Sequence, residues 1–151
     1  MDLLIDRLDG KAMVFFEPRG AENLYGLCRC RGLRCGGVKE TQVVDAFRRW
    51  LTSGAWTLVT PTDKHTDVEA VRGSERLICE AKGRTSAAGL DCDTAYGQLL
   101  RRMTDPSPAV RYAVVVPTSA LTAALRVPRW VRDALRLTVY EVRDDLTVAT
   151  H

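Results

Sequence analysis

The sequence predicts a mixed α/β fold, a central sheet flanked by helices, entered through a helix and then three strands. Three observations carry that prediction. Apolar residues recur at helical spacing over 40–52 and again over 92–103. Two short segments, 65–71 and 76–82, flank the turn-forming stretch Arg72-Gly73-Ser74-Glu75. Tyr112-Ala113-Val114-Val115-Val116 is a continuous apolar run closed by Pro117, the habit of a strand buried on both faces.

Residues 1–37 read as a separate N-terminal β/loop extension, and residues 38–151 as the α/β domain. In the extension, Met13-Val14-Phe15-Phe16 reads as a strand pairing with Leu3-Leu4-Ile5 across a turn at Asp9-Gly10. Residues 24–37, rich in glycine, cysteine and arginine, lack a helical period and read as loop. The domain opens with a helix over 40–52, whose apolar stripe is Val43, Val44, Phe47, Trp50 and Leu51 and whose stop is Gly54. A strand over 56–60 ends at Pro61, and the hairpin of 65–71 and 76–82 follows. The second helix, 92–103, sets Tyr96, Leu99, Leu100 and Met103 on one face. After the strand at 112–116 come short helices near 119–125 and 129–135, and a last strand over 137–142. The order, helix, three strands, helix, strand, helix, strand, is a mixed layer architecture.

A chain of 151 residues, 46% apolar and 27% charged, has the composition of an ordinary globular domain able to bury a core. The net charge of +3 is too small to argue for a nucleic-acid partner by itself. The cations are mostly arginine, lysine appearing only at 11, 39, 64 and 82. Arginine suits bidentate phosphate contacts. With no basic leader or long apolar run at the start and an odd number of cysteines, five, the expectation is a cytoplasmic protein without a disulfide framework or membrane partner.

The hairpin concentrates the chemistry. With its tip at Gly73-Ser74, Val68 faces Cys79, Ala70 faces Leu77 and Thr66 faces Ala81, a small and mostly apolar face. The same register pairs Asp67 with Glu80 and His65 with Lys82 on the other face. Like charges directly opposed, with Cβ atoms roughly 5 Å apart, repel, and a divalent cation between them relieves the repulsion. Magnesium is held by one or two carboxylates together with waters and substrate phosphate. Lys82, two residues beyond Glu80, emerges on the same face, within reach of a phosphate or a water. The plainer alternative is a solvated charged face, which would leave these side chains exposed.

Asp67, twelve intervening residues, then Glu80-Ala81-Lys82 resembles the signature of the PD-(D/E)xK nucleases, over roughly residues 40–116. Thr66 stands where the motif's proline would be. The resemblance implies a restriction-endonuclease-like core, of order α-β-β-β-α-β, and a DNA nuclease dependent on Mg2+ or Mn2+, acting in restriction, repair or recombination. It implies Asp67 and Glu80 as metal ligands and Lys82 as the residue assisting the attacking water. It further points to Glu40 on the first helix as a third metal ligand and to Gln98 on the second helix as a catalytic-site residue. A homodimer or a partner protein would then supply specificity.

Cys28, Cys30 and Cys35 could supply three zinc ligands, with Cys92, His65 or His151 as a fourth. Arg29, Arg31 and Arg34 alternate with these cysteines, and Arg84 follows Lys82 in a basic loop; all four are candidate nucleic-acid contacts. Two alternatives belong to other classes. One is a non-catalytic nucleic-acid or protein-binding module on the same fold, and the other is a zinc-dependent DNA-binding regulator.

Overall fold

The computed structural model describes residues 7–8, 11–12 and 37–151. The chain divides into two units, Met1–Arg34 and Cys35–His151. Of the first, the described part is an antiparallel pair, β1 (Arg7–Leu8) and β2 (Lys11–Ala12), with Arg7 opposite Ala12. They bracket Asp9-Gly10, where the sequence sets a turn. The strands expected at 3–5 and 13–16 lie outside the described residues. So does the loop over 24–36, with Cys28, Cys30, Cys35, Arg29, Arg31 and Arg34.

The second unit runs α1 (Glu40–Ser53), β3 (Thr57–Val59), β4 (Val68–Arg72), β5 (Glu75–Ala81), α2 (Ala88–Arg102), β6 (Val110–Pro117), α3 (Thr118–Ala124), α4 (Arg129–Ala134), β7 (Leu137–Val142) and β8 (Val148–Thr150). It is an α/β unit with one mixed sheet of six strands in sequence order. β3, β4 and β5 form an antiparallel meander, β5, β6 and β7 are parallel, and β8 returns antiparallel. A parallel neighbour cannot be reached through a tight turn. α2 therefore carries the chain from β5 to β6, and α3 and α4 carry it from β6 to β7. Both edge strands are three residues long, which limits exposed pairing groups.

Alternation splits the apolar residues between two cores. Leu77, Cys79, Ala81, Ala113 and Val115 face α1 and pack with Val43, Phe47 and Leu51. Ile78, Tyr112, Val114, Val116 and Val139 face the other side and pack with Cys92, Tyr96 and Leu99 of α2 and with Ala120 and Ala124 of α3. Phe47, Trp50 and Tyr140 close the first core as an aromatic cluster with ring centroids 5.0–5.7 Å apart. In the second, the Tyr96 hydroxyl donates to the Ala124 carbonyl at 2.6 Å, tying α2 to α3.

Two boundaries and one added strand depart from the sequence expectation. β4 begins at Val68, not His65. The Asp63 carboxylate accepts the His65 N–H at 3.0 Å, and the Thr66 N–H bonds the Asp63 carbonyl at 2.9 Å. That side chain to main chain pairing competes with the ladder and holds residues 62–67 in turns. α2 begins at Ala88, a turn earlier than read. β8 was not foreseen; it returns after Asp144-Asp145, with Leu146 at a φ of 64°.

Gly83 marks the junction of α1 with the strand that carries the acidic centre. A Cβ at this position would lie 2.3 Å from the Glu40 nitrogen and 2.8 Å from its Cα. Both are main-chain atoms, which cannot step aside as a flexible side chain would. Gly83→Ala is expected to lower stability by about 1–3 kcal/mol, measured as a shift of the urea unfolding midpoint. An unchanged midpoint would show that the helix terminus can shift freely.

Candidate active site

The centre begins with register. The β4–β5 ladder pairs Val68 with Cys79, Ala70 with Leu77 and Val71 with Arg76. One step beyond Val68, the same register sets Asp67 across from Glu80. β4 has ended there, so the Ala81 N–H, which points toward β4, meets no ladder carbonyl. The Asp67 Oδ2 accepts it at 2.8 Å. Arg48 donates to the Asp67 carbonyl at 3.1 Å. Asp67 thus closes the ladder, and its second carboxylate oxygen is uncommitted among the described residues.

Glu80 points to the α2 side of the sheet and is 2% exposed. A solvated hairpin face would have left it open to water. A buried carboxylate needs compensating partners, and Glu80 has two. Lys82 Nζ donates to its Oε1 at 2.8 Å, and Arg102, from the last turn of α2, donates to its Oε2 at 2.5 Å. The same guanidinium donates to Asp63 Oδ2 at 3.0 Å and to the His65 carbonyl at 2.6 Å. Burial works against the charge on Arg102, but the hydrogen bonds to Glu80 and Asp63 outweigh it and raise its pKa. The His65 N–H, and after it Arg102, hold the Asp63 carboxyl below the usual aspartate range.

The sequence does not single out Arg102, because an arginine at the end of a helix commonly complements the C-terminus. Its signal was spacing. Ala95, Leu99 and Arg102 recur at four and three residues along the stripe that α2 buries, so the cation faces the sheet and needs an acid there. Asp63 and Glu69, two further acids flanking Asp67, also find cations. Glu69 lies opposite Ile78 and accepts Arg76 Nε at 2.8 Å and the Thr62 N–H at 3.0 Å.

The other expected site residues are placed as follows. Gln98 lies one turn before Arg102 on the same face of α2; it is half-buried, and its side-chain oxygen is buried with no hydrogen-bond partner. Glu40 is exposed at the first position of α1 rather than on the buried face. Its main chain, not its carboxylate, packs toward the site strand at Gly83, and its acid complements the helix N-terminus. Arg84 is exposed in the loop after Lys82, with its N–H bonded to the Val38 carbonyl at 2.9 Å. His65 contributes main chain rather than its ring. Of the residues considered as a fourth zinc ligand, Cys92 is buried against the Ala120 carbonyl, and His151 lies 3.2 Å from Glu141.

Glu141 is, with Glu69 and Glu80, a third buried acid on this face, paired with Val116 of β6 in the parallel ladder. The Thr118 hydroxyl donates to it at 2.7 Å, and this bond, then His151 and Arg143, lowers its pKa.

Among the described residues no group of three or more His, Cys, Asp or Glu is arranged to cage a metal ion. Asp67 and Glu80 are a two-carboxylate set, which suits a hard cation that keeps most of its waters. The uncommitted oxygen of Asp67 and the orphaned oxygen of Gln98 are the donors this fit rests on. No family model, curated protein or solved structure matches the chain, and no helix among the described residues is long and apolar enough to cross a membrane.

Removing Arg102 leaves Glu80 buried with one cation. Arg102→Ala is expected to destabilise the fold by about 3–5 kcal/mol, measured by chemical denaturation. Arg102→Lys should recover part of this, because a lysine cannot reproduce the forked contacts. Loss under 1 kcal/mol in the alanine variant would mean that water reaches Glu80.

Asp63 predicts the pH dependence. Its folded pKa is depressed, so its stabilisation is fully present above the ordinary aspartate pKa and is lost as pH falls through the lower folded value. The stability gap between wild type and Asp63→Asn is expected to be widest near neutrality and to close in acid. A gap independent of pH would show that the Asp63 charge contributes nothing.

Proposed function

We propose that this chain is a metal-dependent nuclease of the PD-(D/E)xK type, with a restriction-endonuclease-like core, hydrolysing phosphodiester bonds in DNA. The observation that carries the reading is the hairpin register, which, continued one step past the Val68–Cys79 pair, sets Asp67 across from a buried Glu80 whose carboxylate holds Lys82. The order α1, β3, β4, β5, α2, β6 is the order that such a core requires.

On this reading Asp67 and Glu80 hold a magnesium or manganese ion, which supplies Lewis acidity and a water of lowered pKa. Asp67 offers its uncommitted oxygen while the other stays on the Ala81 N–H, so ligand and ladder share one residue. Lys82 orients the attacking water and offsets charge on the phosphate. Gln98 offers a carbonyl oxygen from α2. Glu80 can turn to a cation only as Arg102 releases it, and Arg102 keeps Asp63 and the His65 carbonyl as partners when it does. The exposed Arg84 lies on the route the phosphate backbone would take from the site. A homodimer, or a partner protein, would select the DNA and its two strands.

A second reading has its own observation. Both oxygens of Glu80 are taken by cations of the protein itself, so the acid is already neutralised internally. That favours a non-catalytic nucleic-acid or protein-binding module on the same fold.

Nicking of supercoiled and branched DNA separates the two. The wild type is expected to cut with Mg2+ or Mn2+ and to stop in EDTA. Lys82→Ala and Glu80→Gln should each lower the rate at least about 100-fold. Asp67→Asn, which keeps an acceptor for Ala81, should do the same while melting close to wild type. DNA retained in gel shifts but never cut, in the wild type as in the variants, would make the binding module the correct reading.

A further inference from the structure

Beside the acidic centre, under the last turn of α2, lies a cleft of about 310 Å3, at the lower end of the roughly 300–1,000 Å3 typical of small-molecule sites. Its lining includes Ile78 of β5 and Tyr112 of β6, neighbours in the parallel ladder. Three arginines and three acids also line it. Two of the arginines are spent within the protein, Arg76 on Glu69 and Arg102 on Asp63 and Glu80. The third, Arg101, is exposed and makes no ion pair among the described residues.

Tyr112 is 1% exposed, yet its hydroxyl has no hydrogen-bond partner. A buried hydroxyl without a partner is costly, so one carried by a residue that lines the cleft points to a ligand group that completes it. Burial, and then the nearby Asp105, raise the Tyr112 pKa, so the group stays protonated and able to donate. Asp105 accepts the Ser107 N–H at 2.8 Å through one oxygen and presents acceptor character on the same wall. The flat Arg76 and Arg102 guanidiniums, each held in place by an acid, and the apolar Ile78 offer surfaces for a planar ring.

We propose that this cleft binds a single nucleotide, its base against Ile78 and hydrogen-bonded to Tyr112, its phosphate at Arg101. The combination suits a planar, heteroatom-rich ring of small-molecule size with one anionic group attached. The nucleotide can be free, or it can be an unpaired residue of a nucleic-acid strand. Only the second source rests on the nuclease reading, in which Arg102 joins this cleft to Glu80.

Calorimetric titration of the full chain in EDTA, where no cleavage can occur, tests it. The probes are the deoxynucleoside 5′-monophosphates, the corresponding nucleosides, inorganic phosphate and short single-stranded DNA. At least one mononucleotide is expected to bind saturably and more tightly than inorganic phosphate. Tyr112→Phe should weaken it by about 3- to 10-fold, the size of one hydrogen bond, without lowering the melting temperature. Arg101→Ala, on an exposed residue that the fold does not need, should weaken the mononucleotide but not its nucleoside. Binding of single strands alone, weakened by both substitutions, would support the cleft with the strand as its source. No saturable binding of any probe, or affinities unchanged in both variants, would overturn the proposal. The nuclease reading stands or falls separately, on metal-dependent nicking and its loss in Lys82→Ala.

Discussion

The buried carboxylate of Glu80 is the constraint around which the rest of this face is organised. An isolated charge on a central strand is untenable in a low-dielectric interior, so cations must be brought to it. Lys82 comes at no topological expense, two residues along the chain and just past the end of β5. Arg102 has to come from elsewhere, and α2 delivers it. Its guanidinium bonds Glu80, Asp63 and the His65 carbonyl, so one planar group ties the end of α2, the turn before β4 and the end of β5. The crossover helix needed to reach a parallel strand is also the element that neutralises the acid, which couples sheet topology to site electrostatics.

Much of this was legible in the sequence, because the hairpin has a strict period of two. Small apolar residues at 68, 70, 77, 79 and 81 admit one register, and that register fixes Asp67 against Glu80. The run at 112–116 was legible for a related reason, since a strand apolar on both faces needs helices on both sides. Other features were hidden where local chemistry overrides pattern. His65-Thr66-Asp67 continues the alternation of β4, yet Asp63 draws the preceding main chain into turns. Arg102 sits where arginines commonly complement a helix terminus, and only its place on the buried stripe of α2 separates it from that role. Glu40 shares the apolar stripe of α1 by spacing, but lies in its first turn, exposed, with only its main chain against Gly83.

Asp67 shows why functional and structural roles are hard to separate here. One oxygen replaces a main-chain carbonyl at the end of the β4–β5 ladder, and the residue it satisfies, Ala81, is buried. An acid kept for that purpose alone could be an asparagine, which accepts a hydrogen bond equally well. The charge is superfluous to the ladder. It acquires a use only if something cationic meets the second oxygen, and among the described residues nothing does.

Glu80 already has cations on both oxygens, so a metal gains from it only the difference between its own attraction and that of Arg102. The release is eased because Arg102 keeps two other acceptors, and the guanidinium freed from Glu80 still lines the adjoining cleft. A nucleotide seated there would bring further polar groups to Arg102 just as Glu80 turned toward the metal. On the nuclease reading, metal and nucleic acid therefore assist each other through a single side chain, and each binds more weakly alone than with the other present. That coupling is reciprocal by thermodynamic necessity, and it places the control of the centre in α2 rather than in the hairpin that carries the acids.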